Sequence, residues 1–137
     1  MDTSLRVIYR IAAQTDGPAR ARRIVARELA LIVPPETLEG LKLMVSELVT
    51  NAVKYGARDP NDTVMLDLRV GEGVRCTVID YGPGFADRNL AAPGASDSAA
   101  GAEASGWGLK VVGWLAERWG VTRSREGTRV WFEAQRG

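Results

Sequence analysis

The strongest constraint in this sequence is an apolar stripe. Leu38, Leu41, Val45, Leu48 and Ala52 recur at three- and four-residue spacing until Gly56 stops the run. A helix places those side chains on one face, and a helix apolar on one face must be buried against another layer. Pro34-Pro35 marks its start, because proline is tolerated in a first helical turn. The rest of the chain has to be arranged around that helix. Residues 5–11 alternate weakly and read as an edge strand, broken by Gly17-Pro18. Residues 19–33 have helical character, with Ile24, Leu29 and Ile32 apolar and Arg20, Arg22, Arg23 and Arg27 charged. Beyond the stripe, Val64, Leu66, Leu68 and Val70 share one face of a strand. After the Gly71-Glu72-Gly73 turn, Val74, Cys76 and Val78 do the same and lead to Asp80. Residues 81–105, rich in Gly, Ala, Ser and Asp, read as a long loop of a length that is usually functional. A third helix is expected over residues 109–119, with Leu109, Val112, Leu115 and Trp119 on one side. Residues 121–125 and 128–134 form a second hairpin around Glu126-Gly127. The order β-α-α-β-β-loop-α-β-β predicts an α+β fold. It is a two-layer α/β sandwich with a mixed β-sheet and its helices on one face.

Composition narrows the chemistry. The chain has 137 residues, 45% of them apolar, which suits a single domain over residues 1–137 with one packed core. It contains no histidine. A Ser–His–Asp or Cys–His nucleophile system, a His-ligated zinc site and a phosphohistidine of its own are therefore excluded. Cys76 is the only cysteine, so an intrachain disulfide and a CxxC metal site are excluded as well. A net charge of +1 leaves no overall footprint for nucleic acid or an anionic membrane, although arginine dominates the basic residues. The sequence holds no 18-residue apolar run, and its first ten residues lack the order of a signal peptide. A cytoplasmic location is expected.

Three polar segments stand out. On the second helix, Glu47, Asn51 and Lys54 fall within about 60° of one another at 100° per residue, and the apolar stripe is centred about 120° away. A solvated face with an i,i+7 charge pair has the same pattern. The second segment is Asp80-Tyr81-Gly82-Pro83-Gly84-Phe85, at the end of the third strand. A carboxylate there can accept a hydrogen bond from a ligand amine, and the glycines let backbone approach a flat ring. An ordinary Gly-Pro-Gly turn reads the same way. The third is Gly106-Trp107-Gly108-Leu109, which exposes N–H groups at a helix start; glycine is also a common N-cap. In this order the three supply a metal-and-base face, an amine acceptor, a lid over residues 85–105 and a phosphate cradle. They form a nucleotide site without a Walker A motif, since no GxxxxGK[ST] occurs.

These segments resemble the GHKL (Bergerat-fold) ATPases, which include gyrase B, MutL and histidine-kinase catalytic domains. Residues 47–56 resemble the N box, residues 80–84 the first glycine box and residues 106–109 the second. The compact length and the Glu-Leu-Val-Thr-Asn-Ala-Val string are most similar to the RsbW/SpoIIAB type, the anti-sigma-factor serine/threonine kinases. The resemblance implies ATP and Mg²⁺ as cofactors. It implies Asn51 as the Mg²⁺ ligand and Glu47 as the general base toward an attacking hydroxyl. Asp80 would take the adenine amino group, with Thr128 supporting it through a water. Gly82 and Gly84 would shape the purine pocket. Gly106, Trp107, Gly108 and Leu109 would hold the phosphates, Lys54 would pair one, and Tyr55 would lie against the base. Trp107 stands where a small residue is usual, either as a lid anchor or as a packing residue at the helix start.

The implied function is phosphorylation of a serine on an antagonist protein, with sequestration of a sigma factor. The alternatives are an ATP-switched binding module without transfer, or a histidine-kinase-like catalytic domain acting on another chain's histidine. A homodimer is among the expected assemblies, whereas nucleic acid and membrane are not expected partners. Cys76 alternates with Val74 and Val78 and reads as core. Trp114, Trp119 and Trp131 read as core or dimer surface. The arginines of the first helix read as a solvated face, or as a docking surface for an acidic partner helix.

Overall fold

A computed structural model describes residues 4–56, 61–80, 109–124 and 127–137, without the side chains of residues 55, 56, 123 and 124. Strand β1 (Leu5–Ala12) leads to helices α1 (Gly17–Leu29) and α2 (Pro35–Asn51), which continues as a π-helical turn over Ala52–Gly56. The hairpin β2 (Thr63–Val70) and β3 (Gly73–Asp80) follows. Helix α3 (Lys110–Leu115) and the hairpin β4 (Arg118–Ser124) and β5 (Gly127–Gln135) complete the described chain.

The sheet runs in the order β1-β2-β3-β5-β4, so β1 is an edge strand, as its weak alternation suggested. The expected α+β sandwich is present. Its sheet, however, is antiparallel in all four pairings where a mixed sheet was expected. The reason lies in the helix pair. One crossover helix would carry the chain to the far end and make the next strand parallel. Two successive helices return it to the end where β1 stopped, so Ala12 pairs with Thr63 and β2 runs backwards.

One face of the sheet is buried under the helices. Leu66, Leu68, Val78, Val130 and Phe132 from the strands meet Val25, Leu29, Leu41, Val45 and Leu48 from α1 and α2 in one apolar cluster. Cys76 is part of it, and burial pushes its thiol pKa up. At about 25 cal/mol per Å² of apolar surface, this interface is the dominant force that orders the two layers. Arg22 also donates to Ser46 Oγ at 2.7 Å, tying α1 to α2.

Helix ends depart from the periodic reading. Helix α1 stops at Leu29 instead of continuing to residue 33: the Ile32 N–H donates to Leu29 O at 2.9 Å, a tighter three-residue turn that leaves the α-helical ladder ahead of Pro34. Helix α3 stops at Leu115 instead of reaching Trp119. Ala116 is extended (φ −80°, ψ 146°), and Glu117 N–H donates to Glu133 O at 2.7 Å. Trp119 therefore lies in β4 opposite Phe132, 4% exposed. Its seven- and four-residue spacing to Val112 and Leu115 masked a two-residue alternation with Val121.

Candidate functional site

One end of the sheet collects the candidate residues. Register places Asp80, the last residue of β3, between Val64 of β2 and Thr128 of β5. Both Asp80 and Thr128 fall on the helix-side face, because they keep step with the buried Val78 and Val130. Asp80 is 1% exposed and Thr128 2%. The π-helical turn at the end of α2 packs against β3. Among the described residues four polar or charged side chains are buried, and Asn51, Asp80 and Thr128 are three of them. A buried carboxylate is costly unless something at the site uses it. That concentration at one end of the sheet marks the site.

The column on α2 is not a solvated face. Asn51 is 7% exposed and Glu47 is half-buried. Asn51 is the last α-helical residue; the next turn is π-helical, bonded i to i+5 and therefore wider. The 100° step that aligned Lys54 with Asn51 does not apply across that turn, so the Lys54 part of the expected column loses its geometric basis. Lys54 is exposed within the π turn. π turns inside α-helices are frequent at functional sites.

Glu47 does something the sequence did not suggest. Its Oε1 accepts the Val112 N–H at 3.0 Å, at the third residue of α3. Burial raises the Glu47 pKa, opposed by hydrogen bonds from the backbone N–H groups of Val112, Val111 and Lys110. Helix α3 has no side-chain cap of its own; Glu47 of α2 performs that task across the fold. The carboxylate thus joins the candidate site to the helix that follows the second glycine-rich segment. No local spacing could have revealed this, because the two residues are distant in sequence and meet only after the layers pack.

Of the other expected ligand contacts, Leu109 is fully buried in the core, which leaves its backbone for any ligand contact. Gly82, Gly84, Gly106, Trp107, Gly108 and the lid over residues 85–105 lie outside the described residues, as does the side chain of Tyr55. No cluster of three or more His, Cys, Asp or Glu side chains occurs among the described residues. The donors at hand, an amide oxygen on Asn51 and a carboxylate on Glu47, are hard oxygen ligands. They suit Mg²⁺ bound chiefly through phosphates and waters rather than a dedicated protein cage.

Residues 11–134 match the sequence profile described as Histidine kinase-like ATPase domain. The chain belongs to this family. No protein of curated function matches the sequence. In structure the domain is similar to the RsbU and RsbW domains of Rv1364c from Mycobacterium tuberculosis, with a TM-score of 0.68 and 20% identity. That match covers 96% of this chain and 32% of the other, so the chain spans about a third of that protein's length. The likeness is one of fold. It agrees with the five-stranded sheet and one helical layer of the histidine kinase-like ATPase domain described above. A histidine kinase-like ATPase domain is an ATP-binding module.

Proposed function

We propose that this domain is an ATP·Mg²⁺-dependent serine/threonine protein kinase that modifies an antagonist protein and also holds a sigma factor. The observation that carries the catalytic half is Glu47, half-buried one turn before the buried Asn51, with its proton affinity raised by burial. In this reading Asp80 accepts the amino group of adenine at the end of β3, and Thr128 supports it from β5. Asn51 contributes its amide oxygen to Mg²⁺, which when bound supplies charge neutralisation between phosphates. Glu47 accepts the proton of the incoming serine hydroxyl as the oxygen bonds to phosphorus, and ADP leaves. Lys54 pairs a phosphate and Tyr55 lies against the base. Gly82, Gly84, Gly106, Trp107, Gly108 and the Leu109 backbone join the site, with residues 85–105 as its lid, on sequence alone. The sigma-factor half rests on likeness alone. Cytoplasmic location and a homodimer belong to the same proposal.

A second reading has its own observation. Glu47 Oε1 is engaged by the Val112 N–H, the position of a structural cap. On that reading the domain binds ATP to order α3 and a partner surface, and transfers nothing. The Glu47→Gln variant separates the two. Its amide oxygen can still accept from Val112 N–H, but it cannot serve as a base. With labelled ATP and cell extract, the kinase reading expects label on a small protein in an acid-stable form, lost in Glu47→Gln with ATP binding retained. Tight ATP binding with no labelled protein establishes the switch. An acid-labile phosphoprotein establishes transfer to another chain's histidine, since this chain has none.

A further inference from the structure

The face of the sheet turned away from the helices is built unlike the rest of the surface. Register aligns Arg6, Arg69, Arg75, Glu133 and Arg118 in one row across all five strands. Arg10 on β1 and Arg129 on β5 extend the basic surface along the same face. Only two carboxylates answer these six guanidiniums among the described residues of the face, and each is shared by two of them. Asp67 meets Arg6 at 3.3 Å and Arg69 at 3.7 Å. Glu133 meets Arg75 at 2.7 Å and Arg118 Nε at 2.9 Å. The face carries four positive charges in excess on a chain whose net charge is +1, so the remainder of the molecule is net negative.

Its apolar part is fixed in place. The Trp131 ring lies against Gly120, where an added Cβ would stand 2.9 Å from Cζ2 and 3.0 Å from Cε2. The Arg75 guanidinium lies 4.3 Å from the ring centroid. Ile8, 49% exposed, is in the same row of the sheet as Trp131. At its turn end the face runs into a cavity of about 650 Å³ lined by Arg69, Arg75, Glu133 and Arg136. Arginine and tryptophan are the residues that carry most binding energy at protein interfaces, and lysine is depleted there. The three lysines of the chain, Lys42, Lys54 and Lys110, all lie on helical segments, and none is on this face.

We propose that the open sheet face binds an acidic segment of a protein partner, with aspartate or glutamate carboxylates on its excess arginines and an apolar side chain against Trp131. Charge complementarity selects this occupant. A second copy of the chain would bring two positively charged faces together. A nucleic acid would bring its phosphates onto Glu133 and Asp67, which stand within the basic surface. The inference does not depend on the nucleotide reading, and the experiment contains no ATP.

The probe is a fluorescein-labelled peptide rich in glutamate and aspartate with interspersed leucines, titrated into the full chain and followed by anisotropy and by amide shifts. The expected result is saturable binding that weakens with salt, with shifts at Ile8, Thr77 and the Trp131 indole. Trp131→Ala is expected to lose about thirtyfold in affinity, a hot-spot loss. Arg10→Ser with Arg129→Ser, two exposed substitutions that spare the ion pairs, weakens binding and flattens its salt dependence. Arg20→Ser with Arg23→Ser on α1 leaves it unchanged. Absence of saturable binding overturns the proposal, as does a map of shifts centred on α1. So does tighter binding of a single-stranded oligonucleotide at the same salt, or self-association through this face on sedimentation.

Discussion

Removing the carboxylate of Glu47 tests whether one side chain holds α3 in place. The helix has six residues, far below the length at which a helix is stable alone, and no side-chain cap of its own. Its order rests on the packing of Leu109 and Val112, both fully buried, and on the Glu47 contact to Val112 N–H. Losing an N-terminal cap costs about 0.5–2 kcal/mol. Glu47 is half-buried and partly exposed to water, which places the cost of Glu47→Ala near the middle, about 1 kcal/mol. For a chain of this size that is a fall in Tm of about 3–5 °C. Glu47→Gln retains an acceptor for the same N–H and should lose less than half of that. The assay is calorimetry on the nucleotide-free chain, with hydrogen exchange at Val112 as the local probe. The pH dependence adds a second check. Burial raises the folded-state pKa of Glu47 above its ordinary 4.5. A raised carboxyl pKa contributes stability below that value, which is lost as pH rises through the folded one. The unmodified chain should therefore lose ground to Glu47→Gln as pH climbs from 4.5 through that range. Equal losses in Ala and Gln variants, or unchanged exchange at Val112 in Glu47→Ala, would refute the capping role.

Saturating ATP, at about a hundred times its Kd, should stabilise the chain by about 2.7 kcal/mol. Asp80→Asn should abolish that rise in differential scanning fluorimetry, and a parent chain that ATP does not stabilise sinks the nucleotide site. Gly120→Ala puts a methyl group 2.9 Å from the Trp131 ring; the ring must shift, at a cost of about 1–3 kcal/mol, read by denaturant unfolding and tryptophan emission. Phe132→Ala, at a side chain 1% exposed, should cost about 3–5 kcal/mol by the same unfolding assay. Hydrogen bonding from Arg118, with help from Arg75, holds the Glu133 carboxyl below its ordinary value. Its contribution is present above pH 4.5 and lost as pH falls through the lowered pKa, so Glu133→Gln should flatten the acid limb of the stability curve.

What was legible in the sequence was whatever repeats locally. The stripe from Leu38 to Ala52, the alternation of Val64 to Val70 and the turn at Gly71–Gly73 each specify their own element, and each stands where expected. Asp80 at a strand end followed from the same alternation. What was hidden depends on the fold as a whole. Trp119 satisfies helical spacing and strand spacing alike, and its pairing opposite Phe132 of β5 decides between them. The π turn after Asn51 has no side-chain signature, so the azimuth of Lys54 could not be read. The capping of α3 by Glu47, and the row of arginines across five strands, exist only once distant segments are in register.

The antiparallel return of β2 onto β1, and the insertion of β5 between β3 and β4, have a kinetic consequence. Ala12 pairs with Thr63 and Asp80 with Thr128, residues roughly fifty positions apart in each case. Neither junction can zip up from a local turn; each must close a long loop before its contacts compensate the lost chain entropy. The two hairpins form early, and the seams between them and β1 form late. Both seams terminate at the end of the sheet that holds Asp80 and Thr128. The residues proposed to bind nucleotide are thus assembled by the slowest steps of folding, and a ligand there would recognise only the completed fold.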